Sequence, residues 1–155
     1  MMKAFRILSF PGLVVLLLTY SSCGGDKPVV EPITDVQMAK LTKPWKVSTV
    51  TLDGVDKKAD YSAFLLTLTG TKGNTSGGYS TSGRPSLSPW KASGNWEFGT
   101  SPETQVIRDK GTADELAVTY AVTESTLSIS FTFTGTGYTS RTGVVKGQWI
   151  FTFNL

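Results

Sequence analysis

"TLSISFTFTG" (residues 126–135) and "GVVKGQWIFTFNL" (143–155) decide how this chain folds. In the first stretch Leu127, Ile129, Phe131 and Phe133 alternate with Ser128, Ser130, Thr132 and Thr134. In the second, Trp149, Phe151, Phe153 and Leu155 oppose Gln148, Thr152 and Asn154. Successive side chains of a strand point to opposite faces. A period of two with one apolar face therefore describes strands that cover a core on one side and meet water on the other.

Working back along the chain, the same signal recurs. "ELAVTYAV" (115–122) places Leu116, Val118, Tyr120 and Val122 on one face. Further strands are predicted at 45–52, 63–71, 79–82, 94–99 and 104–109, each bounded by turn-forming residues such as Asp53-Gly54 and "KGNTSGG". Only "TDVQMAKLT" (34–42) reads as a helix, capped by Thr34 or Asp35 and ended by Pro44. About eight short strands with short links predict an all-β, eight-stranded antiparallel up-and-down barrel with a short N-terminal helix. A β-sandwich is the alternative, because alternation does not reveal closure.

Composition narrows the chemistry. The chain of 155 residues has no histidine and a single cysteine. That excludes Ser-His-Asp and Cys-His arrangements and histidine-based metal sites. No P-loop is present, no cofactor is implied, and no Lys/Arg stripe of the kind nucleic acid requires is seen. Asp53, Asp56 and Asp60 lack the alternation of a calcium loop and read as a hairpin turn. Glu97 and Asp109 are the one carboxylate pair to weigh for a glycosidase-like site. The alternation of Glu97 with Trp96 and Phe98 puts it on the outer face, so the expectation is a protein that is not an enzyme.

The N-terminus supplies an address. "MMKAFRILSFPGLVVLLLTYSSC" has Lys3 and Arg6 before an apolar run too short to span a bilayer, then two serines before Cys23. This resembles the lipobox signal of bacterial lipoproteins. The resemblance implies cleavage before Cys23, lipid on its sulfur and, because no aspartate follows it, an outer-membrane location, with the periplasmic or surface face undetermined. Residues 1–22 are then the signal peptide, 23–35 the lipidated cysteine and a flexible tether, and 36–155 the domain. Losing Lys3 and Arg6 takes the basic count from 15 to 13 against 12 acidic residues, a net charge of +1.

The order of features also resembles the lipocalin-like domains of lipoproteins from gut-commensal Gram-negative bacteria. The likeness rests on "LTKPWKVSTVTLDGVDK", "FLLTLT", "WKASGNWEFG", "VIRDKG", "LSISFTF" and "GQWIFTFNL". It implies a barrel with a cup for a small apolar molecule, and an arginine, here Arg141, closing over Trp45. Tyr79, Trp90, Trp96 and Tyr120 are the candidate ligand-binding residues. Trp45 and Trp149 are read first as core, since large aromatics dominate cores. Trp90, in the loop "GRPSLSPWKAS", is either a stacking platform or a lid that plugs the barrel. The functional expectation is an outer-membrane lipoprotein that binds a small apolar or glycan-derived ligand, with loops 72–78 and 83–93 controlling entry. The alternative is a filled barrel that binds an outer-membrane protein partner.

Overall fold

The computed structural model describes residues 30–135 and 145–155. Cys23, the rest of residues 1–29, and Arg141 lie outside the described residues. The first element is α1 (Ile33–Leu41). It is followed by β1 (Pro44–Leu52), β2 (Val55–Asp56), β3 (Leu65–Gly70), β4 (Ser76–Ser82) and β5 (Ser93–Phe98). Then come β6 (Gln105–Arg108), β7 (Leu116–Val122), β8 (Thr126–Phe133) and β9 (Gly147–Asn154). From β3 onward each strand pairs antiparallel with the next, β1 pairs with β3, and β1 also pairs with β9. The sheet closes on itself. The molecule is an eight-stranded up-and-down barrel, with β2 as an extra strand hairpinned onto β1, and not a sandwich.

The alternating pattern is what turns the strands inward. Leu127, Ile129, Phe131, Phe133, Trp149, Phe151 and Phe153 are all buried. Leu155, read with this set, lies beyond the last pairing and is 60% exposed. On β1 the parity changes: Trp45 and Val47 point inward, and the next inward residue is Val50. The register against β9 shifts between Val47 and Thr49, so Ser48 is the extra residue of a bulge. The Lys58 ammonium donates to the Val47 carbonyl at 2.8 Å beside this irregularity.

Asp53 and Gly54 both take positive φ, 49° and 79°, which suits the tight turn into β2. The Asp53 carboxylate accepts from the Gln148 N–H at 2.8 Å, tying that turn to β9. Asp56 accepts from the Lys58 N–H within the following turn. Asp53 and Asp56 thus accept from backbone N–H groups.

The helix differs from expectation at its start. Pro32 occupies the N-cap position and no side chain caps it. Asp35 instead accepts from the Gly73 N–H at 2.7 Å, joining α1 to the β3–β4 turn. At the other end the Trp45 indole donates to the Leu41 carbonyl at 2.8 Å, satisfying a carbonyl the helix leaves free. Gln37, Met38 and Leu41 turn into the barrel, so α1 closes one end of it. The connections 53–64, 83–92 and 109–115 gather at the opposite end.

Candidate functional site

The interior divides into two parts. One is solid. Phe151 stacks nearly parallel to Phe131, Trp149 and Phe153, with centroids 5.5–6.0 Å apart. Tyr61 and Phe64, from the β2–β3 connection, cover these rings; Tyr61 meets Phe151 edge-on at 5.2 Å. Tyr61 is 1% exposed, and burial pushes its hydroxyl up to about 12.

The other part holds a cavity, with about 30 Å³ open to the centre of a water-sized molecule. A single water needs roughly 10–15 Å³ by this measure, so the space takes about two to three such groups. Tyr79, Trp90, Trp96 and Tyr120 all line it. Leu41 forms its wall on the helix side, and Val106, Val118 and Ile129 supply aliphatic surface. The four aromatics chosen from the sequence therefore converge on one space.

Their polar tips are held in different ways. Tyr79 donates to Asp109 Oδ2 at 2.8 Å. Trp96 donates to the Gly78 carbonyl at 3.0 Å. Tyr120 donates to the Pro102 carbonyl, with Gln37 Oε1 at 3.4 Å, and burial raises its hydroxyl above the usual tyrosine range. Trp90 comes from the 83–92 loop and folds into the barrel, where it is 3% exposed. Its backbone is anchored: Arg84 donates to its carbonyl at 2.8 Å, and its N–H donates to Ser88 Oγ at 3.1 Å. Trp90 thus plugs one end of the barrel and offers no exposed stacking face. Of the two segments expected to control entry, residues 72–78 lie at the helix end, with 76–78 in β4, and the 83–92 loop stands at the plugged end.

Beside the plug lies a feature the sequence reading passed over. Arg108, the last residue of β6, points inward and is 2% exposed. Its guanidinium lies 5.0 Å from the Trp90 ring and 5.7 Å from the Phe131 ring. Asp109, also buried, takes φ 51° and approaches Arg108 Nε at 3.6 Å. That carboxylate is engaged elsewhere, by Tyr79, by the Asn95 N–H at 3.2 Å and by Lys91 at 3.7 Å. Gly94 makes this arrangement possible, since a Cβ there would stand 2.1 Å from Asp109 Oδ1 and 2.6 Å from the Tyr79 ring. A signal for Arg108 was present: in "QVIR" it shares the parity of Val106, which lines the core. A charge on the inward parity of a strand is rare enough to mark.

Glu97 and Asp109 do not form a paired site. Glu97 bonds Lys110 on the outer surface, whereas Asp109 serves Tyr79 inside. Among the described residues no group of three His, Cys, Asp or Glu could hold a metal ion. Trp45 is fully buried, and Lys43 lies 5.9 Å from its ring. An outer groove of about 400 Å³ runs over Ser76, Asn95, Glu97 and Lys110. Its charged groups already pair with each other, and Trp96 beneath it is covered. No family model, no curated protein and no solved structure matches the chain.

Proposed function

We propose that the chain is a non-enzymatic, outer-membrane lipoprotein, anchored through Cys23, whose barrel binds a small apolar ligand. The observation that carries this reading is the convergence of Tyr79, Trp90, Trp96 and Tyr120 on one internal space between the plug and the helix. The aliphatic lining favours an apolar ligand over a glycan, which needs many hydrogen-bonding partners. The small volume sets the ligand size at a few non-hydrogen atoms, and entry requires the 83–92 loop or α1 to move aside.

The test is a titration of the purified chain with 1-butanol, read by NMR at the indole N–H resonances. Saturable shifts at Trp90 and Trp96, with Trp45 unmoved, are expected; no saturable shift at either removes the binding reading. For the anchor, palmitate labelling of wild type but not of Cys23→Ala is expected, and equal labelling of both would remove it.

A second reading, a filled barrel that docks a protein partner, draws on two exposed apolar residues. Val55 and Ile150, 60% and 42% exposed, flank the end of β1 on neighbouring strands. A photo-crosslinker at Ile150 that captures one outer-membrane protein, lost on Val55→Ser, would favour this reading.

A further inference from the structure

The four tryptophans of the chain are not held alike. Trp45, Trp96 and Trp149 stand on strands, and each donates its indole N–H to a backbone carbonyl, at 2.8, 3.0 and 2.9 Å. Trp90 alone comes from a loop, and its buried Nε1 has no acceptor. A buried indole N–H ordinarily finds a partner. The Trp90 ring is nevertheless enclosed. Phe64, Tyr79, Phe131 and Phe151 surround it with centroids 5.7–6.1 Å away, the last three edge-on. The Arg108 guanidinium lies 5.0 Å from its centroid. None of these residues belongs to the 83–92 loop. The barrel builds the chamber, and the loop inserts a ring into it.

The ties that hold the loop down are few. Arg84 donates to the Trp90 carbonyl at 2.8 Å, Thr81 to the Lys91 carbonyl at 2.7 Å, and Lys91 to Asp114 at 2.8 Å. All three are only partly buried, where water takes over such bonds at small net cost. The chamber walls are fixed independently: Tyr79 by Asp109, and Phe151 by its stacking on Phe131, Trp149 and Phe153. We infer that Trp90 is a displaceable stand-in, and that the chamber it fills is a binding site for a flat, electron-rich aromatic of one or two fused rings. The present occupant sets the size, and the adjoining cavity adds about 30 Å³. The guanidinium sets the chemistry, because a cation over a ring favours indole above other aromatics. This goes beyond the reading above, which concerns the space left while the plug is seated, and the two fail separately.

The experiment titrates the purified full chain, labelled with 5-fluorotryptophan, with free indole. Equilibrium dialysis reads the affinity, and a paramagnetic solute reads which fluorinated ring meets water. Trp90→Phe assigns the Trp90 resonance. Indole is expected to bind one-to-one and to bring Trp90 into water, with Trp45 and Trp149 unmoved. A tethered ring competes at an effective concentration on the order of millimolar. Trp90→Ala, with no plug to displace, should therefore bind indole at least tenfold tighter. In that background Arg108→Met should weaken indole severalfold and leave cyclohexanol unchanged, since only the aromatic draws on the cation; equal loss for both overturns the aromatic class. Indole bound by Trp90→Ala and not by wild type makes Trp90 permanent core and overturns the inference. Saturable binding to wild type with Trp90 still shielded from water places the ligand elsewhere and overturns it as well. Displacement by indole without binding of 1-butanol keeps this inference and removes the small-cavity reading. Should Trp90→Ala fail to fold, Arg84→Ala replaces it, loosening the loop outside the chamber. Indole should then bind severalfold tighter, and an unchanged affinity overturns the displacement.

Discussion

Two walls of one barrel carry the same alternating pattern and end up different. The wall of β1, β8 and β9 is filled by stacked rings: Phe131, Trp149, Phe151 and Phe153, sealed by Tyr61 and Phe64. The wall of β4 to β7 offers Gly77, Gly94, Val106 and Val118 along with a buried arginine. Val106 and Val118 border the cavity on that side, the glycines let Asp109, Tyr79 and Trp96 pack closely, and Tyr79 and Trp96 are tied back to the wall by their polar tips. Filling is thus a matter of side-chain volume at inward positions, and a cavity arises where volume falls short. The first wall is solid and the second borders the cavity.

The strongest way to break this contrast is to damage each wall. Phe151→Ala removes a fully buried ring that touches six other aromatic side chains. A loss of about 3–5 kcal/mol in urea unfolding is expected, with 1-butanol binding retained under conditions where the variant is folded. A comparable loss, about 3–5 kcal/mol, is expected for Asp109→Leu, which strips Tyr79, the Asn95 N–H, Lys91 and Arg108 of their shared acceptor. If that variant unfolds at the wild-type urea midpoint, the buried network does not support the second wall.

The filled wall should also show in alkali. The Tyr61 hydroxyl, pushed up to about 12 by burial, stays protonated in the folded chain when the unfolded phenol, near 10, has ionised. Its stabilising contribution is complete below pH 10 and is lost as pH rises toward 12, by up to roughly 2–3 kcal/mol. Tyr120 acts in the same direction. Tyr61→Phe should flatten the slope of unfolding free energy between pH 10 and 12; an unchanged slope would place the titration elsewhere.

Smaller effects sharpen the picture of the second wall. Gly94→Ala forces a methyl against Asp109 and Tyr79 and should cost about 1–3 kcal/mol. Arg108→Met should change stability least, within about 1 kcal/mol and in either direction. It removes a charge whose fork is unmet, and Asp109 keeps Tyr79, Lys91 and the Asn95 N–H. A large loss from Arg108→Met would make that arginine a structural pillar of the second wall.

Much of this was legible in the chain. The eight barrel strands and the short helix follow from alternation and turn residues, with ends shifted by at most four residues. The two-residue β2 was hidden inside a segment that also reads as a turn, because two paired residues leave no period to see. The bulge at Ser48 and the N-cap at Pro32 were hidden for a related reason: each depends on a neighbour, β9 in one case and the β3–β4 turn in the other. The candidate aromatics were chosen singly, and their convergence on one space depends on register across the four strands β4 to β7.

By itself the sequence determined which faces would be buried, because the period of hydrophobicity sets which side of each strand meets water. It also determined the absence of histidine chemistry, since no histidine exists to perform it. The tertiary structure alone decided closure, through the pairing of β1 with β9, which no local pattern encodes. It alone decided that Trp90 turns inward as a plug, and that Arg108 lies beneath it with its fork unfilled. Both outcomes depend on what stands opposite across the barrel, and that is a relation between strands far apart in the chain.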